Sequence, residues 1–153
     1  MLNVYYCLNI LLFTGTPFIS ATPKECLKAT AFQVAAEEGV DPFIFIAIVD
    51  HESRWKVSAY NKRTRDYGLA QINERNIKAL KLDKQRLLQD PEYNLRVGAQ
   101  ILARIQRRYG HEHLYWTRFN VGYGKLGPKR QELALKYSNK VMKNLNRQIA
   151  SIN

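Results

Sequence analysis

Cysteine is nearly absent from this chain, which has only Cys7 and Cys26. Two thiols exclude a disulfide-dense scaffold. The three histidines and two cysteines form no cluster with metal-ligand spacing, so neither a metal site nor a cofactor is expected. No Gly-rich loop follows a strand-like run, which excludes a phosphate-cradling motif. There is no internal repeat and no low-complexity tract. Acidic residues are scarce as well: 13 Asp and Glu stand against 24 Lys and Arg, for a net charge of +11. Such an excess suits a polyanion, whether nucleic acid, anionic lipid or an acidic wall polymer, and its sign does not choose among them.

With 46% apolar residues over 153 positions, the chain can build one domain with a real core. Leu8 to Ile19 is mostly apolar but is broken by Gly15 and Pro17, and is too short for a comfortable membrane span. With Ser20-Ala21 offering a small-residue cleavage point, residues 1–21 read as an export signal, although the segment before Leu8 has no Lys or Arg. The alternative is an uncleaved anchor or a buried first segment. Cys7 lacks the context of a lipoprotein cleavage site. Residues 22–153 then form the mature domain, exported to the periplasm, with Cys26 as a lone thiol that reads as a small packed side chain.

The apolar pattern of the domain is helical throughout. Lys24 to Glu38 carries the stripe Cys26, Leu27, Ala31, Val34 and Ala35, and Gly39 is placed to end it. Asp41-Pro42 is an N-cap followed by a first-turn proline. The run Phe43 to Val49 after it is apolar on every side, so this helix is buried all round, and it ends at Asp50-His51-Glu52-Ser53. Residues 54 to 67 read as a polar loop or short hairpin. Gly68 to Asn73 forms a compact element, and residues 74 to 88 read as one helix. Asp90-Pro91 opens another, with Leu95, Val97, Ile101, Leu102 and Ile105 inward. A short helix near Leu114 to Phe119 precedes a Gly122-Tyr123-Gly124 turn. The last helix, Lys129 to Ile149, has Lys129, Arg130, Lys136, Lys140, Lys143 and Arg147 as a basic face, which is either a solvated surface or a binding one.

Glu52 falls at the C-terminal end of the buried helix. Burial and the negative end of the helix dipole both disfavour its charged form. A carboxyl kept neutral in this way is the general acid that glycosidic cleavage requires. His51, one residue away, points about 100° aside and reads as structural. Asp50, His51 and Ser53 diverge too far to form a nucleophilic triad.

Glu52-Ser53-Arg54-Trp55, followed by Asp66-Tyr67-Gly68-Leu69-Ala70-Gln71-Ile72-Asn73, resembles the soluble-type lytic transglycosylases (the SLT domain) and their lysozyme relatives. Asn94 to Leu102 is similar to that family's N-x-x-x-G-x-x-x-L helix, Phe119-Asn120-Val121-Gly122 to its Y-N-A-G turn, and Tyr137 with Val141 to its late helix. The resemblance runs from about Cys26 to Val141 and is nearest to small secretion- and conjugation-associated members. It implies a mainly α, goose-type lysozyme-like domain with a buried central helix and a substrate groove. Glu52 would be the acid/base that cleaves between N-acetylmuramic acid and N-acetylglucosamine and leaves 1,6-anhydro ends. Tyr67, Gly68, Leu69, Ala70, Gln71, Asn73, Phe119, Asn120 and Tyr137 would line the groove. Gln71 and Asn120 would donate hydrogen bonds to the sugars, and Tyr137 would either hold Glu52 or be plain core.

Four departures from the family pattern stand out. Ala70 replaces a Met, making one groove wall smaller. Phe119 replaces a Tyr, and Asn61 replaces a Ser. Glu92 stands where the partner of Cys26 is expected, so no internal disulfide forms. Asp66 occupies the position of a second carboxylate in many lysozymes. It either acts with Glu52 or is a loop residue paired with Arg63 or Arg65. Three functions are therefore carried forward: a lytic transglycosylase opening the wall for a secretion or conjugation apparatus, a hydrolytic lysozyme using Glu52 and Asp66, and a non-catalytic basic wall-binding adaptor. The expected partner is the peptidoglycan glycan strand, with nucleic acid the least favoured and a monomer expected.

Overall fold

A computed structural model describes residues 23–150, so the expected export segment and Cys7 lie outside the described residues. Helix α1 (Pro23–Glu37) leads through a turn at Gly39 into α2 (Pro42–Ser53). The Asp41 carboxylate accepts from the Phe43 and Ile44 amides at 2.8 and 3.2 Å, so two of the orphan donors at the start of α2 are satisfied. Ile44 to Val49 are all buried, with α1 on one side of α2 and the C-terminal helix on the other. This is the central helix that its all-round apolar sequence requires. Cys26 is a free, half-buried thiol, and Glu92 pairs instead with Arg96 at 3.1 Å.

The polar segment after α2 folds as a small antiparallel sheet of three two-residue strands, β1 (Tyr60–Asn61), β2 (Asp66–Tyr67) and β3 (Ile72–Asn73), in the order β1-β2-β3. Asn61 closes the first turn, its side-chain oxygen accepting from the Arg63 and Thr64 amides at 3.1 and 3.3 Å. The third strand had no sequence signal of its own, because two residues are too few to show alternation. The single helix expected over residues 74 to 88 is in fact two, α3 (Glu74–Leu80) and α4 (Lys84–Gln89). Lys81 turns left-handed at the end of α3, and Asp83 caps α4.

Helix α5 (Pro91–Tyr109) buries Leu95, Val97, Ile101, Leu102 and Ile105 as its stripe predicted. A 3-10 turn (Tyr115–Thr117) and the one-turn helix α6 (Arg118–Val121) follow, and α7 (Pro128–Ala150) crosses back along α2. The Asn144 amide reaches the Ala47 carbonyl at 3.4 Å, while Tyr137 meets Glu52, so α7 runs antiparallel to α2. Arg118 is buried against the Tyr109 ring and gives two hydrogen bonds to Glu112, at 3.0 and 2.7 Å. A third bond from Arg118 to the Gly124 carbonyl ties down the glycine-rich turn.

Candidate active site

Helix α2 ends in an unusual way. Arg54 and Trp55, both non-glycine, adopt left-handed backbone with φ of 53° and 68°. Such residues cost free energy and persist only where their surroundings hold them. Here the Trp55 indole donates to Asp50 Oδ1 at 2.7 Å, and the Trp55 amide donates to the Ser53 hydroxyl at 3.1 Å. The E-S-x-aromatic sequence is thus a locked turn that fixes the last residues of α2, Glu52 among them.

Glu52 is half-buried, and one of its carboxylate oxygens accepts from the Tyr137 hydroxyl on α7 at 2.8 Å. Burial pushes its pKa up to about 7 against an ordinary value of 4.5. The Tyr137 hydrogen bond opposes that rise, the negative charge of Asp66 adds to it, and the positive charge of Lys140 opposes it. Burial accordingly decides the outcome, and the group is poised to give and retake a proton near neutrality. Tyr137 is itself buried, and its ring meets the His51 ring edge-on at 5.2 Å. Removing its hydroxyl takes away a donor to the carboxylate. Tyr137→Phe should therefore raise the Glu52 pKa further and move the alkaline limb of kcat/KM above pH 7, as a pH–rate profile would show.

Asp66 lies on β2 and is held by the Asn73 amide, which donates at 2.6 Å, and by the Thr64 hydroxyl. Among the described residues it forms no ion pair with Arg63 or Arg65. Neighbouring strand residues point to opposite faces, so Tyr67 leaves the Asp66 side. It is buried beside Tyr60, its hydroxyl donating to Glu74 at 3.2 Å.

The Gly68–Gln71 turn departs from expectation in three ways. Leu69 and Ala70 have no exposed surface, so neither side chain lines a groove in this structure. Ala70 faces α5, where a Cβ on Gly98 would lie only 2.6 Å from the Ala70 Cβ, so the small residue serves close packing and not a groove wall. Both donor bonds of the Gln71 amide go to main chain, to Gly68 O at 2.8 Å and Ala59 O at 3.3 Å, which leaves its oxygen and not its NH2 for a ligand. Phe119 is half-buried against the core, and Asn120 is exposed on α6.

Sequence reasoning named Asn94 only as part of a motif and missed what it does. It is fully buried and joins three elements. Its amide donates to Tyr67 O and Leu87 O, both at 2.9 Å, and its oxygen accepts from the Ala70 amide at 2.8 Å. A polar residue inside the apolar stripe of α5 was the available signal, since a buried amide must find partners.

A neutral, desolvated carboxylic acid at the end of a core helix, on a lysozyme-like helical scaffold, is the equipment of a glycan-cleaving enzyme. Residues 29–149 match the transglycosylase SLT domain family. Invasion protein IagB of Salmonella typhimurium (strain SL1344) is 32% identical over 111 residues, covering 69% of this chain and 68% of its own length. IagB of Salmonella typhi matches to the same extent. An inactive mutant of the lytic transglycosylase Slt from Pseudomonas aeruginosa shares the fold, with a TM-score of 0.54 over 78% of this chain at 18% identity. The chain spans about a quarter of that Slt protein, 24% of its length. The chain belongs to the transglycosylase SLT domain family and is a peptidoglycan lytic transglycosylase.

Proposed function

We propose that this protein cleaves the β-1,4 bond between N-acetylmuramic acid and N-acetylglucosamine by a one-carboxylate route. The protonated Glu52 gives its proton to the glycosidic oxygen as the bond from that oxygen to the muramyl anomeric carbon breaks. The carboxylate then takes the proton of the muramyl 6-hydroxyl, whose oxygen bonds to the same carbon. Glu52 ends as it began, no water is consumed, and the product carries a 1,6-anhydro end. The observation that carries this reading is a single desolvated carboxyl with a pKa of about 7, positioned by Tyr137.

Asp66 enters this reading as a negative charge near Glu52, held by polar partners. In the lyase, Asp66→Asn removes a charge that raises the Glu52 pKa. It should keep most of the activity while moving the alkaline limb of the pH profile downward. In a two-carboxylate hydrolase the same change costs about as much as losing Glu52, within the 10²–10⁴-fold typical of acid–base catalysis. Mass spectrometry of muropeptides released by wild type, Glu52→Gln and Asp66→Asn decides: anhydro ends support the lyase, and reducing ends overturn it. Release undiminished in Glu52→Gln would point instead to a non-catalytic adaptor.

Export through residues 1–21 would place the enzyme in the periplasm, where its substrate lies. The name of the related invasion protein supports a role in opening the wall locally for a secretion or conjugation apparatus.

A further inference from the structure

The positive charge of α7 is arranged as a track. At 3.6 residues per turn, Lys129, Lys136, Lys140, Lys143 and Arg147 fall within about 60° of the helix circumference, and all five are exposed. Arg130 is not part of it. Its guanidinium turns to the glycine-rich loop and donates to the Val121, Tyr123 and Lys125 carbonyls. Lys136 is paired with Glu132. Among the described residues no carboxylate stands within ion-pair distance of Lys129, Lys140, Lys143 or Arg147. The track begins at the site itself, because the charge of Lys140 acts on both Glu52 and His51. From there Lys143 and Arg147 lead away along the helix, on the rim of an open hollow that also takes in Asn139, Met142, Asn146 and Ala150.

We propose that this track binds the anionic peptide stems carried by the muramyl residues of the glycan strand, and so makes the enzyme prefer peptide-bearing over bare glycan. The proposal rests on the glycan-cleaving function proposed above. A strand lying at Glu52 puts its next stems beside α7, and the stems recur once per disaccharide. Lys140 and Arg147 are about 10.5 Å apart, two turns of helix, so successive cations can meet charges repeated along an extended polymer. The hollow supplies what a short peptide needs besides charge: two amides for its backbone and the apolar surface of Met142 and Ala150 for small side chains. A membrane surface fits less well. The exposed apolar residues Leu135, Met142 and Ile149 lie about 130° around the helix from the centre of the basic track, so a flat bilayer cannot take both at once.

The test compares soluble glycan strands carrying stems with strands stripped of them by an amidase. Binding is read on the full-length Glu52→Gln protein, and cleavage on the wild type. Stem-bearing strands should bind about tenfold more tightly, a preference that shrinks with added salt. Lys143→Gln/Arg147→Gln should lose that preference, leave binding to stripped strands unchanged and keep the wild-type melting temperature. Equal binding to both strands, or an equal loss on both in the double variant, would overturn the proposal. So would an intact strand preference in a variant that has lost only affinity for anionic vesicles or for DNA. Wild-type cleavage of both strands with equal efficiency sinks the track alone. Failure to bind or cleave either strand sinks the glycan-cleaving function, and the track with it.

Discussion

Glu52→Gln abolishes turnover and stabilises the fold above neutral pH. The amide keeps the shape of the side chain and still accepts from Tyr137, but it cannot give or take the catalytic proton. A loss of about 10³-fold or more in kcat is expected, toward the upper part of the acid–base range, because this route has no second proton donor. The stability change follows from the same carboxyl. Its pKa is 4.5 as an ordinary Glu and about 7 in the fold. Between those values the native state holds a proton that the unfolded chain has released, so native stability falls as pH rises from 4.5 to 7 and stays reduced above that. The gap corresponds to about 3 kcal/mol. The neutral amide of the Glu52→Gln variant carries no such penalty. The variant should therefore melt several degrees higher than wild type at pH 8 and at nearly the same temperature at pH 4, by calorimetry. A variant less stable at pH 8 would mean that the carboxylate is welcome in its site and that the acid/base assignment is wrong.

Helix α2 was legible in the sequence from end to end, because each local signal agreed with its neighbours: an Asp cap, a first-turn Pro and an unbroken apolar run. So were α5 and its inward face. The partnership of Glu52 with Tyr137 was not, because 85 residues separate them and the contact depends on how α7 crosses α2. The motif placed Tyr137 near the site but left open whether it was core. It is both, buried as a ring and bonded through its hydroxyl. The Gly68–Gln71 turn was misread for a related reason. A motif close to chemistry invites the view that its side chains face the ligand. Leu69 and Ala70 instead face inward, and the turn is held from behind by Asn94. The basic face was legible as charge, but its separation from Arg130 came only from where the chain puts the glycine-rich loop.

Gly68→Ala is the substitution with the largest expected effect on folding, and a second glycine calibrates it. Gly39 and Gly68 have nearly the same left-handed backbone, with φ of 71° and 73°. Ala at either position meets the left-handed cost of about 1–2 kcal/mol. Around Gly39 an added Cβ meets nothing within 4 Å. At Gly68 it would lie 2.0 Å from the Asn94 amide nitrogen and 2.2 Å from the Leu87 carbonyl oxygen. Neither can retreat cheaply. The Asn94 amide is committed to Tyr67 and Leu87, and the carbonyl is main chain of α4. Displacing Asn94 frees buried donors and acceptors at about 1–3 kcal/mol each, on top of the overpacking strain. A total near 4–6 kcal/mol is a large share of the roughly 5–15 kcal/mol that holds a domain folded. Urea unfolding should therefore show Gly39→Ala only slightly weakened and Gly68→Ala at or near the edge of folding. Combining Asn94→Ala with Gly68→Ala should cost less than the sum of the two separate losses, since both act on one contact. Equal losses at the two glycines would mean that the turn beneath Glu52 is looser than the Asn94 bonds require.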